Sequence, residues 1–271
     1  MASRPSPLAA TVRGIGPVVL LLHGFAQDGR SMAGLQERLS QGFSAVAVDL
    51  PGHGRSLAQP ADTYVKDTVF ALYQLLDRLG AAQAAMVGYS FGARLAARAA
   101  LEQPARCWAL VLESMALLAP PKERQERLEA DRALSAAISV APIADFVARW
   151  ERQPVFASQE QVEPARLSLQ RRIRMSQDPA GLAAALAGGG QAVSGLGPEQ
   201  LRSLKVPTLV MAGSRDPTYL RHLEGLTAAI SGAEGAVLEG CGHNLELEAE
   251  QEASERIWAF LSRVSDQRRA S

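Results

Sequence analysis

Ser90 stands in Gly88-Tyr89-Ser90-Phe91-Gly92, between a short apolar run and a helical pattern. A sharp strand-to-helix turn exposes a serine hydroxyl at a sheet edge, beside the positive end of a helix. A hydroxyl does little near neutral pH without a base beside it. His243 is the best placed of the four histidines. It lies in Glu239-Gly240-Cys241-Gly242-His243-Asn244, after the last apolar run, where flanking glycines let the backbone approach the serine. His222 reads as a surface residue of a polar helix. His53, in a Pro-Gly-His-Gly turn, and His23 read as structural. The imidazole needs an acid to fix its tautomer, and Asp216 follows another apolar run. As a residue type before Pro217 it would serve equally as a helix cap. The order Ser90, Asp216, His243 favours the catalytic reading, and it excludes Asp28 and Asp49, which fall too early in the chain. Two backbone N–H groups should receive the developing oxyanion, one from Phe91 and one from Phe25 in the His23-Gly24-Phe25 loop.

The elements that position these groups are legible as short runs rich in Val, Leu and Ala. They are Pro17–Leu22, Ser44–Leu50, Ala84–Tyr89, Trp108–Glu113, Thr208–Ala212 and Gly235–Leu238. Most lack polar alternation, as strands covered on both faces do. Helical patterns separate them: Asp28–Ser40, Ala61–Leu79, Phe91–Leu101, Tyr219–Ile230 and Glu246–Val264. That alternation predicts an α/β fold with a mostly parallel sheet between helices. It stops after Glu113. Helices are expected over Arg124–Ser139, Ile143–Arg152, Gln159–Gln177 and Pro179–Leu186, with Gly188–Gly190 as a breaker. The organisation expected is a core over 1–115, a helical lid over 116–200 and the rest of the core over 201–271. Met1–Ala10 and Asp266–Ser271 read as frayed ends.

The chain has 271 residues, of which 47% are apolar, with 28 basic and 28 acidic side chains. Zero net charge argues against partners that are nucleic acids or membrane surfaces, which demand a basic excess. Cys107 and Cys241 make no disulfide framework, and no apolar run reaches the roughly 18 residues of a membrane span. A cytoplasmic enzyme with a small-molecule substrate is expected, with no metal or organic cofactor.

The His-Gly-Phe loop, Asp49–Ser56, Gly88–Gly92 and Gly242–Asn244 together resemble the α/β-hydrolase superfamily over essentially the whole chain. The lid narrows the resemblance. Phe146–Ser158, Glu129–Arg132, Arg174 with Gly181–Ala183, and Tyr89–Arg94 resemble the 2-succinyl-6-hydroxy-2,4-cyclohexadiene-1-carboxylate (SHCHC) synthases of menaquinone biosynthesis. That resemblance implies a lyase that expels pyruvate from a tricarboxylate, with Arg94, Arg132 and Arg174 binding carboxylates, Trp150 walling the pocket and Tyr89 touching the substrate. Arginine forks suit such an anionic substrate. The chain departs from the family pattern in lacking a lysine beside Asp216, where Pro217-Thr218-Tyr219 stands, and in Met115–Pro120 after the strand ending at Glu113. The alternatives are a carboxylesterase, thioesterase or C–C bond hydrolase working through an acyl-serine. A non-catalytic binding protein would have lost a member of the triad, and none is lost.

Overall fold

The structure, a computed structural model, describes residues 6–270. Seven strands form one sheet: β1 (Ala10–Arg13), β2 (Val18–Leu22), β3 (Ser44–Val48), β4 (Ala84–Tyr89), β5 (Cys107–Glu113), β6 (Thr208–Gly213) and β7 (Glu234–Leu238). Their order is β1-β3-β2-β4-β5-β6-β7, parallel except for β1, which pairs antiparallel with β3. The six expected strands are all present. β1 was not anticipated: it is a four-residue edge strand, mostly exposed, with no apolar run to announce it. It overturns the expectation of a frayed start at its inner end, where Leu8 is buried and Ala10 pairs with Val48. Met1–Pro5 and Ser271 lie outside the described residues, and Asp266–Ala270 continue the last helix rather than fray.

The helices are α1 (Ala33–Leu39), α2 (Tyr64–Arg78), α3 (Phe91–Glu102), α4 (Pro121–Val140), α5 (Ile143–Trp150), α6 (Pro164–Met175), α7 (Pro179–Gly189), α8 (Gln191–Ser194), α9 (Pro198–Leu201), α10 (Pro217–Ala229), α11 (Leu245–Glu248) and α12 (Glu250–Ala270). The two sides of β2 explain the layering. Leu20 and Leu22 pack with Leu72 of α2, Leu95 of α3 and Leu226 of α10. Val19 and Leu21 pack with Leu35 of α1 and Ile257 of α12. Alternation of side chains across the strand thus feeds two separate cores, so neither face of the central strands has room for polar residues.

Between β5 and β6 the chain leaves the sheet. Ile138, Phe146, Val147, Leu182 and Leu186 form a third apolar cluster that closes onto Phe25 and Ala26 of the core. The segment standing off the sheet is α4–α8, Pro121–Ser194, because Met115 and Ala116 are still buried at its start and Leu196 and Leu201 have rejoined the sheet's core at its end. The helix expected from Gln159 begins only at Pro164. Proline disfavours helical backbone in the residue before it and suits the first helical position, so Pro154–Gln161 forms a separate 3₁₀ segment. No helix of the described residues is long and apolar enough to cross a membrane, and both cysteines are free and buried.

Candidate active site

Ser90 joins β4 to α3 with φ +51° and ψ −98°, a conformation that non-glycine residues seldom adopt. The surrounding sequence enforces it. A Cβ on Gly92 would sit 2.2 Å from the Leu22 carbonyl oxygen, and one on Gly88 would sit 2.6 Å from the backbone of Ala93. Only glycine lets helix α3 start so close to the strands, which is why the motif needs both. The Ser90 N–H donates to the Glu113 carbonyl (2.8 Å), anchoring the turn to the neighbouring strand.

His243 Nε2 lies 3.1 Å from Ser90 Oγ, and its Nδ1 lies 3.2 Å from Asp216 Oδ2. With Nδ1 carrying the proton toward the carboxylate, Nε2 is free to accept the serine proton. Asp216 makes contacts of both kinds that its sequence position suggested, one to the histidine and one to a helix end. Its second oxygen, Oδ1, accepts the N–H of Tyr219 (3.2 Å) and caps α10. Three further residues hold the histidine loop. Ser114 Oγ donates to the His243 carbonyl (2.7 Å). Glu248 accepts the N–H groups of Gly242 (2.7 Å) and Asn244 (3.1 Å). Asn244 donates to Gln170 of the lid (2.9 Å), which ties the lid to the loop.

The opposite wall is the loop after β2. His23 accepts the Leu50 N–H at Nε2 (3.0 Å) and lies 2.7 Å from the Gly24 carbonyl at Nδ1, so it is structural, as expected. Burial lowers its pKa, and burial pushes that of His53 down to about 3, so His53 stays neutral. Phe25 is wedged among Trp150 (ring centroids 5.3 Å), His53 (5.6 Å) and Phe91 (6.0 Å). Phe25 and Phe91 both line the cavity, and among the described residues no backbone hydrogen bond outside the helices and strands uses either N–H. Phe91 opens α3, whose first N–H groups have no intrahelical acceptor, so an oxyanion can take them.

These groups converge on a cavity of about 520 Å³ roofed by the lid. Arg94, one turn into α3, is buried there. Its Nε donates to Ser194 Oγ (2.7 Å) and Nη1 to the Ser90 carbonyl (3.3 Å), and among the described residues it makes no ion pair. Burial lowers its pKa to about 10, so it remains a cation at neutral pH. Arg174 is 2% exposed, lies 5.1 Å over the Phe156 ring and reaches Glu151 only at 3.3 Å, while its Nε has no partner. A buried cation with incomplete pairing is costly unless an anion joins it.

Arg132 departs from expectation. It is exposed and does not line the cavity. On α4 the buried position belongs to Asp131, and the neighbouring residue is turned about 100° away. Arg127, one turn before Asp131 and paired with it (2.9 Å), lines the cavity instead. Trp150 both lines the cavity and packs in the lid, 5.6 Å from Phe146 and 5.9 Å from Phe156. Tyr89 is buried with its ring 5.4 Å from that of His243. His222 is not a plain surface residue: it lines the cavity and accepts the Leu117 N–H (3.3 Å).

The comparisons with known proteins bear on the fold and the family. The model of the α/β hydrolase fold family matches residues 17–250. The 2-succinyl-6-hydroxy-2,4-cyclohexadiene-1-carboxylate synthase of Escherichia coli O1:K1 is 30% identical over 236 residues, 86% of this chain and 88% of that one. The structure of MenH from S. aureus matches with a TM-score of 0.89 at 26% identity, over 96% of this chain and 99% of that one. A thermophilic esterase from Thermogutta terrifontis shares the fold, with a TM-score of 0.85 at 24% identity over 95% and 93% of the two chains. This chain therefore belongs to the α/β-hydrolase enzymes and, within them, to the family of the SHCHC synthases.

Proposed function

We propose that this enzyme eliminates pyruvate from 2-succinyl-5-enolpyruvyl-6-hydroxy-3-cyclohexene-1-carboxylate to give SHCHC, a step of menaquinone biosynthesis. The observation that carries the reading is the pair of buried, incompletely paired guanidinium groups, Arg94 and Arg174, in the cavity that holds Ser90. A neutral ester would leave Arg94 without a counter-ion and Arg174 with Glu151 alone at 3.3 Å, whereas a tricarboxylate supplies both with carboxylates. The names of the relatives point the same way.

On this reading Ser90 acts as a base. His243 takes the serine proton across the 3.1 Å contact, and Asp216 stabilises the imidazolium. The alkoxide removes the proton on the carbon alpha to the succinyl carbonyl. Charge moves to that carbonyl oxygen, which the N–H groups of Phe25 and Phe91 receive. The electrons return to form a double bond from that carbon to its ring neighbour, the existing ring alkene shifts one place along, and the carbon–oxygen bond to the enolpyruvyl group breaks. The departing enolate takes the proton held on His243 and tautomerises to pyruvate, leaving the imidazole neutral. Arg94 and Arg174 hold carboxylates throughout, and Arg127 meets a third at the lid side. A serine hydrolase of neutral esters is the alternative outcome of the test.

That test compares Arg94→Ala and Arg174→Ala with the wild type on the tricarboxylate and on a short neutral aryl ester. Loss of one fork should lower kcat/KM for the tricarboxylate about a hundredfold, with only partial rescue by lysine. Ester turnover, if any, should hardly change. Equal losses on both substrates would contradict the proposal and make the arginines structural.

A further inference from the structure

The first turn of α10 carries a residue that the triad does not account for. Tyr219 packs its ring 4.3 Å, centroid to centroid, from the His243 imidazole at an interplanar angle of 58°. Tyr89 at 5.4 Å and Phe156 at 6.3 Å complete the surround, and Tyr219 is the nearest of the three. The backbone of Tyr219 is bound to the same relay, because its N–H donates to Asp216 Oδ1 while Asp216 Oδ2 faces His243. Asp216, His243 and Tyr219 thus form a closed set in which each limits the movement of the other two. The ring centroid also lies 5.4 Å from that of His222.

The hydroxyl has a separate use. Tyr219 lines the cavity, and among the described residues its hydroxyl makes no hydrogen bond. It lies within electrostatic range of Arg94 and Arg127, two of the four arginines that line the cavity, and of Asp216. Burial keeps the phenol protonated, so it is a neutral donor beside a guanidinium. A carboxylate has about four lone-pair sites, and a guanidinium fork fills only two of them.

We propose that Tyr219 is a positioning and specificity residue: its ring fixes the rotamer of His243, and its hydroxyl donates to the substrate carboxylate held by Arg94. The second half rests on the reading of the cavity as a site for a polycarboxylate; the first does not.

Tyr219→Phe and Tyr219→Leu separate the two halves. Kinetics on the tricarboxylate read KM and kcat. Labelling of Ser90 by a neutral fluorophosphonate reads the positioned triad with no carboxylate involved, and thermal unfolding verifies that each variant is folded. Tyr219→Phe should raise KM about tenfold with kcat and labelling rate unchanged. Tyr219→Leu should lower kcat and labelling at least tenfold, and the phenylalanine variant stands as the rescue of that loss. A wild-type KM in Tyr219→Phe overturns the role of the hydroxyl. Wild-type labelling in a folded Tyr219→Leu overturns the role of the ring. Should Tyr219→Leu not fold, slowed labelling in Tyr219→Phe overturns the ring's sufficiency, because phenylalanine keeps the ring. If the wild type releases no pyruvate, the polycarboxylate reading fails, and the labelling arm still decides the role of the ring.

Discussion

At the scale of single residues, the proposed mechanism has Ser90 and His243 act through one proton transfer, so their losses should not add. Ser90→Ala, His243→Ala and the double variant should each lose most activity while remaining folded, with the double scarcely worse than either single. Steady-state kinetics on the three variants check this, and near-additive losses would mean that the residues do not share a step. The arginines of α4 make a sharper comparison. Arg132 is exposed and outside the cavity, so Arg132→Ala should keep kcat/KM within about twofold, whereas Arg127→Ala should lower it by about tenfold or more. The sequence could not separate these two. Both lie on one helix with other arginines, and a strongly charged helix has no apolar stripe to reveal which face turns inward. The convergence of Ser90, Asp216 and His243 was legible because glycine-bracketed turns at strand ends leave a pattern. Tyr219, Ser114 and Glu248 were not, because each acts through a contact that depends on tertiary placement.

At the scale of elements, two close approaches set the site. The start of α3 is pressed against the end of β2, so Gly92→Ala must displace backbone. It should cost about 3 kcal/mol or more, measured by denaturant unfolding. The lid rests on the core through Gly52 and Gly181, where a Cβ on Gly181 would meet the Gly52 carbonyl oxygen at 2.5 Å. Gly181→Val should therefore lift α7 from the turn after β3 and raise KM, with a much smaller change in unfolding free energy than Gly92→Ala. Titration of initial rates against substrate reads the first, and chemical denaturation the second. The parallel strands were readable because double burial makes them short and continuously apolar. Edge strand β1 was not, since it is mostly exposed and owes its conformation to pairing with β3. The start of α6 was misplaced because a 3₁₀ segment and an α-helix leave similar patterns in a polar lid.

At the scale of the whole molecule, the charge balance hides two opposed titrations. Glu113 and Glu246 are buried carboxyls that interact, and their oxygens are largely without donors. Burial raises both pKa values, that of Glu246 from 4.5 to about 8. Below pH 4.5 both the folded and unfolded chains hold the proton, and the contribution is complete. As pH rises toward 8 the unfolded chain releases it and the folded chain does not, so stability is lost over that window. His23 and His53 act in the other direction. Their pKa values are lowered by burial, so stability is lost as pH falls from 6.5 toward about 3. The melting temperature should therefore fall on both sides of mildly acidic pH. Glu246→Gln should flatten the alkaline side, gaining on the order of a few kcal/mol at pH 9 and little at pH 5. Scanning calorimetry across pH would show it, and an equal gain at both values would assign the effect to packing. Net charge and local charge are also separate at the site: a chain with equal numbers of acids and bases concentrates guanidinium groups around one hydroxyl. The most direct measurement is incubation of the wild-type enzyme with the enolpyruvyl tricarboxylate, following pyruvate with a coupled dehydrogenase and the ring product by chromatography. The account predicts that pyruvate and SHCHC form in equal amounts, that Ser90→Ala forms neither, and that kcat/KM exceeds that for a neutral aryl ester. Absence of pyruvate together with rapid ester turnover and an acyl-serine burst would contradict it.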